Sequence, residues 1–213
     1  MKQSIILLFI LLIFNFSTLA NAEVVAIYDW EGTKNDSGIY IGEVNSNGVR
    51  DGNGIYLSEN GEKYIGRWIN NEFSGHGLKV IENEDKTFDR YKGQNYRGNS
   101  HGYGVYYWSS TYYLGEFKTG KYNSFEGNCG VYKYNNGNSD EYYCFEKGKW
   151  IKQSFININK INLAKKKSKK AQAALSIASD NMARAYKILN EYKRQWPFAT
   201  LNKKTLCLRS TDL

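Results

Sequence analysis

Between residues 40 and 117 the chain keeps returning to one phrase. "YIGEV" at 40, "YIGRW" at 64, "YKGQN" at 91 and "YLGEF" at 113 each set a glycine two residues after a tyrosine, and Trp68 and Phe117 follow two places later. A second phrase alternates with the first: "GNG" at 52, "GHG" at 75 and "GYG" at 102, each leading into a short apolar or aromatic run such as "IYL" or "VYYW". A fourth copy, "GNCG" at 127, registers on Gly127 or on Gly130, and the likeness of "GVYK" to "GVYY" favours Gly130. A degraded fifth start, "YYCFE", stands at 142. The starts Tyr40, Tyr64, Tyr91, Tyr113 and Tyr142 are 24, 27, 22 and 29 residues apart, a spacing that marks a repeat architecture.

Each unit holds two strand-length segments divided by turn-rich stretches such as "VNSNGV" and "SENGEK", which is hairpin spacing. Side chains alternate faces along a strand, so the tyrosine, glycine and aromatic of Y-x-G-x-[W/F] share a face. Both glycines of G-x-G do the same. A glycine in a strand weakens it by about 0.5–1 kcal/mol relative to alanine. The expected compensation is a bare patch of backbone on which a ring from an adjoining hairpin lies. The expected fold is mainly β: an elongated single-layer antiparallel sheet of about nine strands, followed by a long C-terminal amphipathic helix.

The segment from about 38 to 147 resembles the MORN (membrane occupation and recognition nexus) repeat. The residues that carry the resemblance are Tyr40/Gly42, Tyr64/Gly66/Trp68, Tyr91/Gly93 and Tyr113/Gly115/Phe117, with the pairs Gly52/Gly54, Gly75/Gly77 and Gly102/Gly104. The resemblance implies stacked hairpins used as a scaffold, a partner-binding surface or, in some proposals, a phospholipid-binding surface. Val44 and Asn95 stand where tryptophan is usual, and the last copy has Cys144 at its glycine. That copy reads as a cap ending the array.

The regions outside the array divide by composition. Lys2 precedes the apolar run "IILLFILLIF", and "ANA" at 20–22 has the form of a signal-peptidase site. Residues 1–22 therefore read as a signal peptide, giving an exported chain, periplasmic or secreted, that starts at Glu23. An uncleaved anchor is the competing reading, but a span needs about 20 apolar residues and Asn15 interrupts this run. The remaining divisions are 23–37, an N-terminal strand or cap; 38–150, the array; 151–159, a linker; 160–196, the helix; and 197–213, a tail.

Export permits thiol oxidation. Cys129 and Cys144 flank the turn "NNGNSDE" and oppose each other across the last hairpin if the register allows. Buried free thiols, or a pairing with Cys207, are the alternatives.

Residues 160–196 contain neither glycine nor proline, and Pro197 ends the run. Ala171, Leu175, Ala178, Met182, Ala185, Leu189, Tyr192 and Trp196 step by four and three, which is a heptad seam. The seam suits docking along the sheet or, equally, self-association as a coiled coil and homo-oligomer. The run "KKKSKK" places Lys165, Lys166, Lys167, Lys169 and Lys170 in the first turns, where positive charge opposes the helix dipole. Those lysines are the candidate contacts to an anionic surface.

The glycine phrases lie inside strands and include no phosphate-binding loop, no C-x-x-C pair exists for a metal, and His76 and His101 sit beside glycine turns. No catalytic, metal or cofactor site is expected. The formal net charge of +8 admits nucleic acid, membrane or acidic partners, and export sets nucleic acid aside. The leading expectation is a non-catalytic scaffold that binds an as yet unidentified protein. The alternatives are a peripheral protein on anionic lipid, held through Lys165–Lys170, and a glycan-binding surface.

Overall fold

The structure is a computed structural model. It describes residues 23–29 by their backbone and 38–59, 61–120, 125, 127–134, 140–147, 149–154 and 156–195. The signal-peptide reading at 1–22, the tail at 197–213 with Cys207, and Trp196 of the seam lie outside these residues.

Among the described residues, eleven strands follow one another in chain order in a single antiparallel sheet. They are β1 (Glu23–Asp29), β2 (Gly38–Val44), β3 (Arg50–Ser58), β4 (Lys63–Ile69), β5 (Glu72–Glu82), β6 (Phe88–Tyr96), β7 (Asn99–Trp108), β8 (Thr111–Phe117), β9 (Cys129–Tyr134), β10 (Glu141–Glu146) and β11 (Lys149–Lys152). One helix, α1 (Ile158–Gln195), follows the strands among the described residues. The sheet is wider than the nine strands expected, and β11 takes up the start of the stretch read as a linker.

The repeat sets the register. Gly42, Gly54, Gly66, Gly77, Gly93, Gly104 and Gly115 pair successively from β2 to β8, so the glycines of the two phrases form one row across the sheet. Two residues along, Tyr40, Tyr56, Tyr64, Lys79, Tyr91, Tyr106, Tyr113 and Tyr132 form a parallel row on the same face. The intervening positions turn to the other face and are apolar at Ile41, Ile55, Ile65, Leu78, Val105, Leu114 and Val131, with Lys92 the exception. Alternation thus gives the sheet an aromatic side and an aliphatic side.

The helix covers the aliphatic side. Its first half packs Ala164 and Ala171 against Val105, Leu114, Val131 and the cysteines. Its second half packs Met182, Ala185 and Leu189 against Ile41, Ile55, Leu57, Ile65, Leu78 and Val80. At 1.5 Å per residue α1 is about 57 Å long, and ten inter-strand gaps of about 4.8 Å make the sheet about 48 Å wide, so the helix crosses the whole array. It meets β1 to β10 on the way. Ala164, Ala171, Ala178 and Ala185 recur every seven residues and are fully buried, letting the helix backbone lie close to the sheet. Of the expected seam, Leu175 and Tyr192 are half-buried and Trp196 is outside the described residues. The seam is occupied within the chain, which corrects the coiled-coil reading: pairing between chains through these residues would require the helix to leave the sheet.

Candidate interaction surface

The geometry of one hairpin explains both phrases. The tyrosine ring lies along its own strand, over the glycine two residues on and the glycine paired with it. A Cβ on Gly42 would stand 2.4 Å from the Tyr40 hydroxyl, and one on Gly54 the same distance from the Tyr40 ring. Tyr91 covers Gly93 and Gly104 in the same way, and Tyr113 covers Gly115 and Gly130. Rings from adjoining hairpins were expected over the glycines; the ring instead comes from the same strand for the Y-x-G glycine and from the strand paired with it for the G-x-G glycine. Gly130, not Gly127, is the repeat glycine of the fourth copy.

The hydroxyl at the ring's end reaches a backbone carbonyl. Tyr40 donates to Glu43 O at 2.7 Å, Tyr64 to Arg67 O at 3.0 Å and Tyr91 to Gln94 O at 2.6 Å. Pairing shifts beside those carbonyls, at Gly42/Val44, Gly66/Trp68 and Gly93/Asn95, where a single residue faces three on the next strand, 51–53, 74–76 and 101–103, so that the next strand is the bulged one. Within the bulge the first glycine of G-x-G takes positive φ, +88° at Gly75 and +61° at Gly102, a conformation that disfavours side chains. The Gln94 side chain lies over Gly102 and accepts from the Tyr103 N–H at 2.8 Å. Burial pushes the phenols of Tyr40, Tyr64, Tyr91 and Tyr113 well above the ordinary tyrosine range.

Around these tyrosines the aromatic side forms two clusters. In one, Trp68 stands edge-on to Tyr40 and Tyr64 at 5.1 and 5.4 Å, Val44 fills the space beside them, and the Arg50 guanidinium lies 5.1 Å over the Trp68 ring. In the other, Phe117 is wedged between Tyr91 and Tyr113 at 4.6 and 5.6 Å. Asn95, standing where an aromatic is usual, is buried and donates to Gly93 O at 3.2 Å. The second cluster continues outward through half-buried Tyr106, Trp108, Tyr132, Tyr143 and Trp150. Tyr106 donates to Asp89 Oδ2 at 2.7 Å, and Trp108 and Trp150 both meet Tyr132 at 5.8 Å and 79°. Among the described residues no element covers this side, since α1 lies on the other.

Tyr142 is not the fifth rung. Tyr143 faces the aromatic side in its place, but in the glycine row opposite Gly130 and 5.0 Å from Tyr132, whose own partner is Glu141; Phe145 stands beside Trp150. A one-residue slip in phase exchanges the two faces. Tyr142 and Cys144 therefore turn toward the helix, and Cys144 pairs directly with Cys129 in the register and in a disulfide.

The five lysines do not form one patch. Lys167 lies between helix and sheet, paired with Glu116 at 2.7 Å and donating to Asn128 Oδ1 at 2.8 Å. Lys165 and Lys170 lie over the rings of Tyr142 and Tyr103 at 5.4 and 4.8 Å. Lys166 and Lys169 point to solvent. His76 is half-buried, and burial lowers its pKa; its carbonyl accepts from Asn181 at 2.9 Å. His101 lies 5.7 Å from the Tyr96 ring. Among the described residues no three His, Cys, Asp or Glu side chains gather to hold a metal.

The protein-family model of the MORN repeat matches residues 40–63, 64–85 and 91–110. No curated protein matches the chain.

Proposed function

Because the chain carries three consecutive MORN repeats in residues 40–110, we propose that it is an exported, non-catalytic scaffold that binds a protein partner on the aromatic side of its sheet. One observation carries the reading: Tyr106, Trp108, Tyr132, Tyr143 and Trp150 form a half-buried aromatic strip on the side opposite the helix. Large rigid rings at the centre of a surface are the residues on which protein interfaces most often depend. MORN repeats are used as protein- or membrane-binding modules and are generally non-catalytic. The Cys129–Cys144 disulfide supports an oxidising compartment, and with it export.

The strip suits protein better than glycan. Stacking on successive sugars favours rings that lie flat and share a plane, whereas Trp108 and Trp150 both stand edge-on to Tyr132. Such corrugated edges and gaps fit side chains.

A photo-crosslinking amino acid at position 132, compared with one at exposed Ala173 on the outer side of α1, tests the proposal in the producing cell. A discrete protein adduct from position 132 and none from position 173 is the expected result. The absence of any protein adduct at 132 would overturn it. Mass measurement of the mature chain, expected to begin at Glu23, tests export separately.

A further inference from the structure

The helix contains ten lysines and arginines against two acids, Asp180 and Glu191, so it carries the whole formal charge of +8 and leaves nineteen residues of each sign elsewhere. Folding does not require this excess. Lys160 and Lys167 pair with Glu146 and Glu116 of the sheet. Lys166, Lys169, Arg184 and Lys187 are exposed and have no ion-pair partner among the described residues. The outward side of the same segment also gathers apolar groups. Of the six large hydrophobic side chains exposed by more than a third among the described residues, three are on the helix, Ile158 at 54 %, Leu163 at 39 % and Ile177 at 46 %, and a fourth, Ile156 at 90 %, lies two residues before it. Leu163 and Ile177 are fourteen residues apart, which returns them to nearly the same side of the helix. None of the four belongs to the clusters that hold α1 to the sheet.

We infer that the outer side of α1 is a docking surface for an anionic phospholipid bilayer, with the helix lying in the plane of the headgroups. This goes beyond the protein-binding reading and uses the opposite side of the molecule, outside the repeats. Cations alone would fit any polyanion. The isoleucines and Leu163 select lipid, because an acidic polysaccharide or nucleic acid offers no apolar layer to receive them, while the headgroup–acyl boundary does. No helix among the described residues is long and apolar enough to cross a membrane, so the helix-mediated contact is peripheral. Asp180 opposes the attraction on this side, and the surrounding cations outnumber it. The arrangement leaves the aromatic side of the sheet facing away from the bilayer.

Co-sedimentation of the mature chain with phosphatidylglycerol-containing vesicles and with phosphatidylcholine vesicles tests the inference. Binding to the anionic vesicles, weakened by salt, is expected. Lys166→Gln, Lys169→Gln, Arg184→Gln and Lys187→Gln together should weaken it by at least about tenfold, and Leu163→Ser with Ile177→Ser by about tenfold. All six side chains are exposed, so unchanged thermal melting is the control for folding. Binding that is equal on both vesicle types, or unchanged in the charge variant, would overturn the inference. Loss in the charge variant with none in the apolar variant would overturn it too, reassigning the surface to soluble polyanions. Trp108→Ala leaves this binding unchanged while removing the position-132 adduct, which separates the failure of either reading from that of the other.

Discussion

On Gly104 a methyl group would stand 2.6 Å from the Tyr91 ring, and the Gly93 backbone lies directly opposite, so neither neighbour has room to withdraw. Gly104→Ala should therefore cost about 2–3 kcal/mol, the range of an overpacked core, measured by urea unfolding. Gly48 is the contrast: nothing lies within 4 Å of its added Cβ, but its φ is +73°. Gly48→Ala should cost about 1 kcal/mol, from backbone conformation alone. A similar loss at both sites would mean that the tyrosine is not what the repeat glycine accommodates. The buried phenols give a second prediction. Their folded pKa values lie above the unfolded value of about 10, so the unfolded chain releases protons first as pH rises. The stability they contribute is complete below pH 10 and falls as pH climbs through and beyond it. Urea midpoints should drop above pH 10, and phenolate absorbance should rise in a step that coincides with unfolding rather than before it.

At the scale of the element, the last hairpin and the first turns of the helix are fastened together. The Cys129–Cys144 bridge spans 15 residues, and its removal in Cys129→Ala/Cys144→Ala should cost about 3 kcal/mol. Asn128 is fully buried beside it, donating to Glu116 O at 3.3 Å and accepting from Lys167. Lys167→Met leaves that acceptor without its cation and should cost about 1–3 kcal/mol, whereas Lys166→Met, at an exposed site, should cost less than about 0.5 kcal/mol. Thermal melts of the two variants read the difference. These elements also show what the sequence made legible. The Y-x-G and G-x-G offsets were enough for the hairpins and the glycine row, because a period of two residues fixes which side chains share a face. They were not enough for the last copy. Tyr142 and Tyr143 are adjacent, so the phrase has two phases, and only pairing with β9 puts Tyr143 on the aromatic side and Tyr142 on the helix side. The bulges opposite Glu43, Arg67 and Gln94 were hidden for another reason: they accompany a tyrosine hydroxyl reaching a carbonyl three residues on, a contact that residue type alone does not declare. The lysine run gave charge but not geometry, since helical spacing sends Lys167 to the sheet and Lys166 to water.

In the whole molecule, the helix decides whether the sheet can exist in water. The aromatic side largely buries itself, because each large ring lies down on glycine and on its neighbours. Aliphatic side chains stand up from a strand and cannot do this. Ile41, Ile55, Ile65, Leu78, Val105, Leu114 and Val131 depend on α1 for their burial, and every one is at most 5 % exposed with the helix in place. A chain ending at residue 157 would present that row as an apolar band broken only at Lys92, wider than soluble monomers tolerate. The disulfide and the tyrosine–glycine packing lie within the sheet, so the strands should still form. The expected product of residues 23–157 is therefore a β-rich species that binds a hydrophobic dye and elutes as oligomers or aggregates in size-exclusion chromatography, while residues 23–213 elute as a monomer. Adding a peptide of residues 158–195 should restore the monomer-sized species, because Ala164, Ala171, Ala178 and Ala185 offer the sheet a complementary surface that needs no covalent link. A truncated chain that stays monomeric and does not bind dye would show that the sheet protects its aliphatic side without the helix. In that event the heptad seam would again be available for pairing between chains.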